Sequence, residues 1–167
     1  EEVRDRLIML MLFTTGIRRG ELVGLRDRDV SANELKVHGK RNKDRIVPFG
    51  PELSEEIANY RAIRAAQVGE TEMFFVRSNG EAVYPTLVYR LVHKELSEVG
   101  GCSRYSPHVL RHTFASAMLN NGAQLNSVKE LLGHESLAAT QVYTHITHRE
   151  LKSNYEHAHP RALKKGG

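Results

Sequence analysis

Apolar residues at Val3, Leu7, Leu10 and Met11 recur at the i, i+4, i+7, i+8 spacing of a helix face and stop at Thr14-Thr15-Gly16, which predicts a first helix ending on glycine. A second, short helix is predicted to carry Glu21, Leu22 and Leu25, and residues 27–33 lack helical periodicity and are rich in turn formers. Leu35 to His38 and Arg45 to Phe49 read as strands joined by Gly39-Lys40-Arg41-Asn42-Lys43-Asp44, a β-hairpin with a basic tip. Pro51 suits the first position of a helix, where its missing N–H costs nothing, and Leu53, Ile57 and Tyr60 give that helix one face up to about Gly69.

Further on, Met73 to Val76 read as a short strand and Ser78-Asn79-Gly80 as a turn, and Leu87, Leu91, Val92, Leu96 and Val99 mark a helix closing at Gly100-Gly101. Ser106 before Pro107 is the clearest helix start in the chain: the hydroxyl accepts a first-turn N–H, and the helix is expected to run from Pro107 to about Asn121, ended by Gly122. Val128, Leu131 and Leu132 suggest a short amphipathic helix broken by Gly133, Ser136 caps another through Tyr143, and a last helix holds Leu151 and Tyr155 before a polar tail. The expected fold is mostly α with a small antiparallel β-sheet, an α+β domain, without internal repeats.

Composition acts mainly by exclusion. A length of 167 residues suits one domain, and 40% hydrophobic with 26% charged residues describes a chain that folds. The longest apolar run, Leu7 to Phe13, is far below the roughly 20 residues of a membrane span. The acidic start, Glu1-Glu2, is unlike a secretory signal, so a cytoplasmic protein is expected. The single cysteine, Cys102, supports no disulfide framework and fits a reducing compartment. A net charge of +4 is compatible with a nucleic-acid partner without demonstrating one.

Four segments carry candidate chemistry, and their combination and order matter more than any one of them. In Thr15-Gly16-Ile17-Arg18-Arg19-Gly20-Glu21-Leu22 the glycine break places Arg18 at a helix start, where its fork and the free amides suit a phosphate oxygen, with Glu21 one turn on. Taken alone, this is as well explained by a solvated arginine or an Arg–Glu pair. The basic turn, Lys40, Arg41, Lys43 and Arg45, has the shape to enter a groove, and a lysine ammonium is a proton donor, although such a turn is often only solvated. In Ser106-Pro107-His108-Val109-Leu110-Arg111-His112, His108 and Arg111 share a helix face opposite Leu110, Phe114 and Ala117. His108 and His112 also have the spacing of a metal pair, but Val109 stands where a zinc-protease helix supplies glutamate. The fourth segment is Leu132-Gly133-His134 followed by Gln141-Val142-Tyr143, where a glycine break and a new helix let His134 and Tyr143 face one pocket.

A tyrosine hydroxyl, of pKa about 10, becomes a nucleophile when a base takes its proton or cations favour the phenolate. Two arginines and a histidine do this, and they also balance the charge of a phosphodiester transition state without a metal.

In these residues the chain resembles the tyrosine recombinase, or phage integrase, family. Arg18, Lys40, His108, Arg111, His134 and Tyr143 match its Arg, Lys, His-x-x-Arg, His and Tyr positions in order, and Glu21 matches a supporting acidic position. Residues 15–25, the 39–45 turn and Ala158-His159-Pro160-Arg161-Ala162 are most similar to the bacterial Xer recombinases. The resemblance implies the tyrosine recombinase catalytic-domain fold and site-specific, metal-independent DNA cleavage and rejoining. In this scheme Tyr143 is the nucleophile that forms a 3′-phosphotyrosyl link, Arg18 and Arg111 hold the scissile phosphate, Lys40 is the general acid, and His108 and His134 assist. Arg41, Lys43 and Arg45 are expected to contact DNA. Arg41 departs from the Xer-type pattern the resemblance implies, where glycine is common. No metal and no small-molecule cofactor is expected.

The partners implied are a double-stranded recombination site and a homo- or hetero-tetramer on DNA, at the nucleoid. Residues 1–167 are expected to be a single catalytic domain lacking the family's N-terminal core-binding domain, with an exchange tail at about 148–167. The competing readings are a type IB-like topoisomerase, a catalytically silent DNA-binding module and a histidine-rich metal-binding domain.

Overall fold

In the computed structural model, residues 1–102 and 107–133 are described, without the side chains of 99–102 and 107–110. The helices are α1 (Glu2–Thr15), α2 (Arg19–Val23), α3 (Pro51–Val68), α4 (Pro85–Cys102), α5 (Pro107–Asn120) and α6 (Leu125–Leu132). Between α2 and α3 lie a 3-10 turn at Asp27–Asp29 and one antiparallel hairpin, β1 (Glu34–His38) and β2 (Asp44–Pro48), closed by a 3-10 turn at Lys40–Asn42. The fold is the expected one, mostly helical with a small antiparallel sheet. None of the described helices is long and apolar enough to cross a membrane.

Helix α1 is the centre of the body, packed against α2, α3, α4 and α5. The sequence stripe suggested one apolar face, but Leu7, Ile8, Met9, Met11 and Leu12 are all fully buried, whereas Val3 and Leu10 are only partly so. A helix surrounded by neighbours is apolar nearly all round, so a simple stripe understates its burial. Its end is tightly built. Gly16 adopts φ 68° and donates its N–H to Leu12 O, while Asn121 Nδ2 donates to Phe13 O at 2.6 Å and to Ala117 O at 2.9 Å. One amide group thus donates to a carbonyl in the last turn of α1 and joins it to the end of α5. The rings of Phe13 and Phe114 meet edge to face, 6.1 Å apart, along the same contact.

Three local expectations are corrected. Leu25 lies beyond α2, which stops at Val23, although it is buried in the core. Met73 to Val76 form no strand, only single bridges from Met73 to Arg26 and from Val76 to Ala82. Side chains take over the ladder's role: Arg64 Nη1 donates to Phe74 O at 2.8 Å, Thr71 Oγ1 donates to Met73 O at 2.8 Å, and Val76 N–H donates to the Tyr60 hydroxyl at 3.0 Å. Helix α4 does not close at Gly100-Gly101 but continues to Cys102, since glycine lowers helix stability by only about 1 kcal/mol. Both strands begin one residue before the expected limits, β1 ends at His38 as expected and β2 ends one residue early at Pro48, and α5 and α6 end before Gly122 and Gly133. The expected cap at Ser106, the helix from Ser136 to Tyr143, the last helix and the tail lie outside the described residues.

A Cβ at position 16 would stand 2.5 Å from Asn121 O and 2.8 Å from Met118 O. Gly16→Ala therefore combines left-handed strain with backbone overlap and should cost about 2 kcal/mol or more. For a domain of this size that lowers the melting temperature by about 4–8 °C in calorimetry; a variant melting with the parent would show that α1 and α5 can separate freely here.

Candidate active site

Ile17 is fully buried beyond Gly16, so the chain turns at a fixed point and Arg18 becomes the N-terminal residue of α2, in extended conformation (φ −73°, ψ 152°). Glu21, one turn on, reaches back, and its Oε1 accepts the Arg18 backbone N–H at 2.8 Å. This satisfies an amide that the short helix leaves free. The Glu21 side chain is only 7% exposed and also receives the Arg45 guanidinium, Nη1 to Oε2 at 2.5 Å and Nη2 to Oε1 at 3.0 Å. Burial pushes the Glu21 carboxyl pKa up, but the hydrogen bonds from Arg45 and Arg18 and their charges outweigh it, holding the group below the usual glutamate range. Arg45 is raised in turn by its hydrogen bonds to Glu21, against burial.

The forked pair crosses from α2 to β2 and lays the hairpin beside the helical body. Gly39 sits under it: a Cβ there would be 2.9 Å from Lys43 O and 3.5 Å from Glu21 Oε2. The turn it opens is closed by Gly39 N–H to Lys43 O at 3.0 Å and Lys43 N–H to Lys40 O at 3.3 Å. Arg41 and Asn42 both take positive φ, 62° and 56°. A side chain at position 41 therefore bears left-handed strain that glycine would not.

Arg18, Glu21, Gly39, Lys40 and Gln124 line both of two adjoining open clefts of about 510 and 340 Å³. Lys43 and Arg45 extend the larger one, and Arg41 is exposed at the turn. On the far wall Gln124, the N-terminal residue of α6, accepts a hydrogen bond from Arg18 Nη2. Gln124 holds the guanidinium in place without neutralising it, since an amide carries no charge.

Arg111 comes from α5. It is half-buried, and its Nε is buried with no hydrogen-bond partner among the described residues. It lies close to His93 of α4, whose imidazole pKa is lowered by burial and then by the Arg111 charge. His93 Nε2 donates to Leu131 O at 3.2 Å near the end of α6, and its ring stacks on Tyr89 with centroids 4.2 Å apart.

The expected residues divide as follows. Arg18, Glu21, Lys40, Lys43 and Arg45 are brought together around one cleft, while Arg111 is placed beside His93. His108 lies in α5 but its side chain is outside the described residues, as are His134 and Tyr143 altogether. His112 is buried in the core, 1% exposed. Gln124 and His93 were not singled out in the sequence. Nothing in local spacing marks them, because their partners lie 106 and 38 positions away.

A helical body with one hairpin beside its short second helix, and a cationic cleft between them, is the architecture of tyrosine recombinase catalytic domains. The chain belongs to the phage integrase family, whose sequence profile matches residues 1–150. It is 44% identical over 171 aligned positions to the tyrosine recombinase XerC of Chlorobaculum tepidum, covering 97% of this chain and 51% of that protein. It is 40% identical over 167 positions to XerC of Staphylococcus aureus, covering 98% and 56%. The chain thus spans about half the length of these curated relatives. Among solved structures it is similar to the XerA recombinase (TM-score 0.54, 30% identity, 96% of this chain and 64% of that one). It is also similar to the XerH site-specific recombinase bound to a palindromic difH substrate in a post-cleavage complex (TM-score 0.54, 25% identity, 92% and 45%).

Replacing Glu21 by Ala leaves the Arg18 amide and the Arg45 fork without their shared acceptor and should cost about 1–3 kcal/mol at pH 7. Because the folded carboxyl pKa is lowered, this contribution is complete above the ordinary glutamate range and is lost as pH falls through the folded value. Urea unfolding of parent and Glu21→Ala should therefore converge in acid; a gap independent of pH would contradict the ion-pair origin.

Proposed function

We propose that the chain is the catalytic domain of a site-specific DNA recombinase that cleaves and rejoins strands through Tyr143. The observation that carries this reading is the convergence of Arg18 and Lys40 on one open cleft, with Glu21 fixing the elements that bear them. Relatives named as tyrosine recombinases, and the difH substrate bound by the XerH recombinase, support DNA as the partner.

The chemistry follows from the side chains. Arg18 and Arg111 bind the non-bridging oxygens of the scissile phosphate, and the fork of each matches two oxygens at once. The Tyr143 oxygen attacks phosphorus as its proton leaves, assisted by His108 and His134. The bond from phosphorus to the 5′ oxygen breaks, and the Lys40 ammonium delivers a proton to that oxygen. The product is a 3′-phosphotyrosyl link that keeps the energy of the phosphodiester, so a 5′ hydroxyl from another strand reverses the step without a nucleotide cofactor. Charge balance by fixed cations makes a metal unnecessary.

Lys43 and Arg41, exposed around the turn, supply phosphate contacts that position without reading bases. Arg45 has a second role, since its guanidinium is already engaged by Glu21. The domain acts on a double-stranded site as part of a tetramer at the nucleoid, with residues 148–167 as the exchange tail and a DNA-clamping domain elsewhere in the recombinase.

A nicked suicide duplex carrying sites from the source element tests the reading. The parent should form a covalent adduct on a denaturing gel in the presence of chelator, Tyr143→Phe none, and Arg18→Ala roughly 100-fold less or lower. Relaxation of supercoils without strand exchange would favour the topoisomerase reading. No adduct from this chain, and none from a full-length version on a verified site, would leave a DNA-binding module.

A further inference from the structure

At the end of β1, His38 sets each ring nitrogen against a carboxylate: Nδ1 lies 2.8 Å from Asp44 Oδ1 and Nε2 lies 3.2 Å from Asp29 Oδ1. The Asp29 side chain is 4% exposed, and its other oxygen accepts the Arg26 N–H at 3.0 Å, so it is fixed within the 3-10 turn. Asp44 is half-exposed, opens β2 and stands opposite His38 in the strand register. A carboxylate only accepts, so both contacts are hydrogen bonds when both ring nitrogens carry a proton; in a neutral ring one lone pair faces an oxygen. The contact with Asp44 is the base of the turn that begins at Gly39 and presents Lys40, and the contact with Asp29 ties that base to the segment leaving α2.

We propose that His38, hydrogen-bonded from both ring nitrogens, is a positioning residue that fixes the Lys40 turn against the helical body. The inference rests on the role given to Lys40 above. Hydrogen bonds to Asp44 and then Asp29 raise the His38 imidazole pKa, with slight opposition from burial and further help from the two charges. Other charges nearby are Lys36, whose Nζ is 3.9 Å from Asp44 Oδ2, and Arg18, Arg19, Glu21, Lys40 and Glu130, which line the same cleft as His38. For a histidine raised in the folded state, the clamp is complete below the ordinary value and is lost as pH rises through the folded one.

The test is an NMR titration of the 167-residue chain from about pH 5 to 9, as parent, His38→Gln and Asp44→Asn. In the parent, His38 should titrate above the ordinary value of about 6.5, and the amide shifts of Gly39, Lys40 and Lys43 should follow the same midpoint. Asp44→Asn should lower that midpoint, and His38→Gln should abolish the amide titration. A His38 midpoint at or below the ordinary value, or turn amides that titrate unchanged in His38→Gln, overturns the proposal. On the suicide duplex, cleavage by the parent should fall about tenfold as pH rises through the His38 midpoint, whereas His38→Gln should be slow and flat over that interval. Matching profiles in parent and variant also overturn it. Absence of any adduct from the parent and from a full-length version on a verified site counts against the recombinase reading alone, and the amide titration then decides whether His38 holds the turn.

Discussion

The buried carboxylate of Glu21 is the interaction on which the site depends. An ion taken out of water must be matched by hydrogen bonds and opposite charge, and Glu21 is matched twice, by the Arg18 amide within its own helix and by the Arg45 fork from the hairpin. α2 has only five residues, too few to hold itself, so the same carboxylate that caps it also gives it a tertiary anchor. The direction of Arg18 into the cleft and the nearness of the Lys40 turn are consequences of one side chain.

That side chain would point nowhere definite without α1. That central helix ends at Gly16, where backbone from α5 comes so close that no side chain fits, and Asn121 fastens the two ends together. Three residues later the chain leaves α5 for Gln124, which meets the Arg18 guanidinium on the other wall. The first arginine is therefore held at its amide by Glu21 and at its guanidinium by Gln124, and both holders derive their place from the α1–α5 contact. Order of this kind is the preorganisation that electrostatic stabilisation of a phosphodiester transition state requires.

Much of this was legible in local chemistry. Gly16, Pro51, Gly122 and Gly133 marked element ends because their constraints act within one turn of chain, and residues 35–38 read as a strand, in which the structure buries Leu35 and Val37. Glu21 was legible one turn after Arg18, and the family resemblance marked it as a supporting acid. Arg45 as its second partner was not, nor were Asn121, Gln124 and the Asp29–His38–Asp44 contacts, since polar pairs between distant segments leave no periodicity. The strand expected at Met73 to Val76 failed for a related reason: Phe74, Phe75 and Val76 are buried, but Arg64, Tyr60 and Thr71 supply partners to the segment's backbone groups.

The hairpin shows why charges rather than packing must set the site. β2 buries almost nothing, and Ile46 is 53% exposed, so the hydrophobic effect fixes β1 through Leu35 and Val37 but leaves the tip free to swing. Two buried carboxylates on the body side, Glu21 and Asp29, reach the hairpin on either side of that tip, and each is met by a half-exposed partner, Arg45 from β2 and His38 from β1. An anchor with one buried member is screened by salt less than a surface pair, so the arm keeps its position in an ionic medium that would weaken the phosphate contacts proposed for it. The two anchors differ in kind: arginine holds its charge throughout the physiological range, whereas histidine gives its up, and the turn between them carries the lysine.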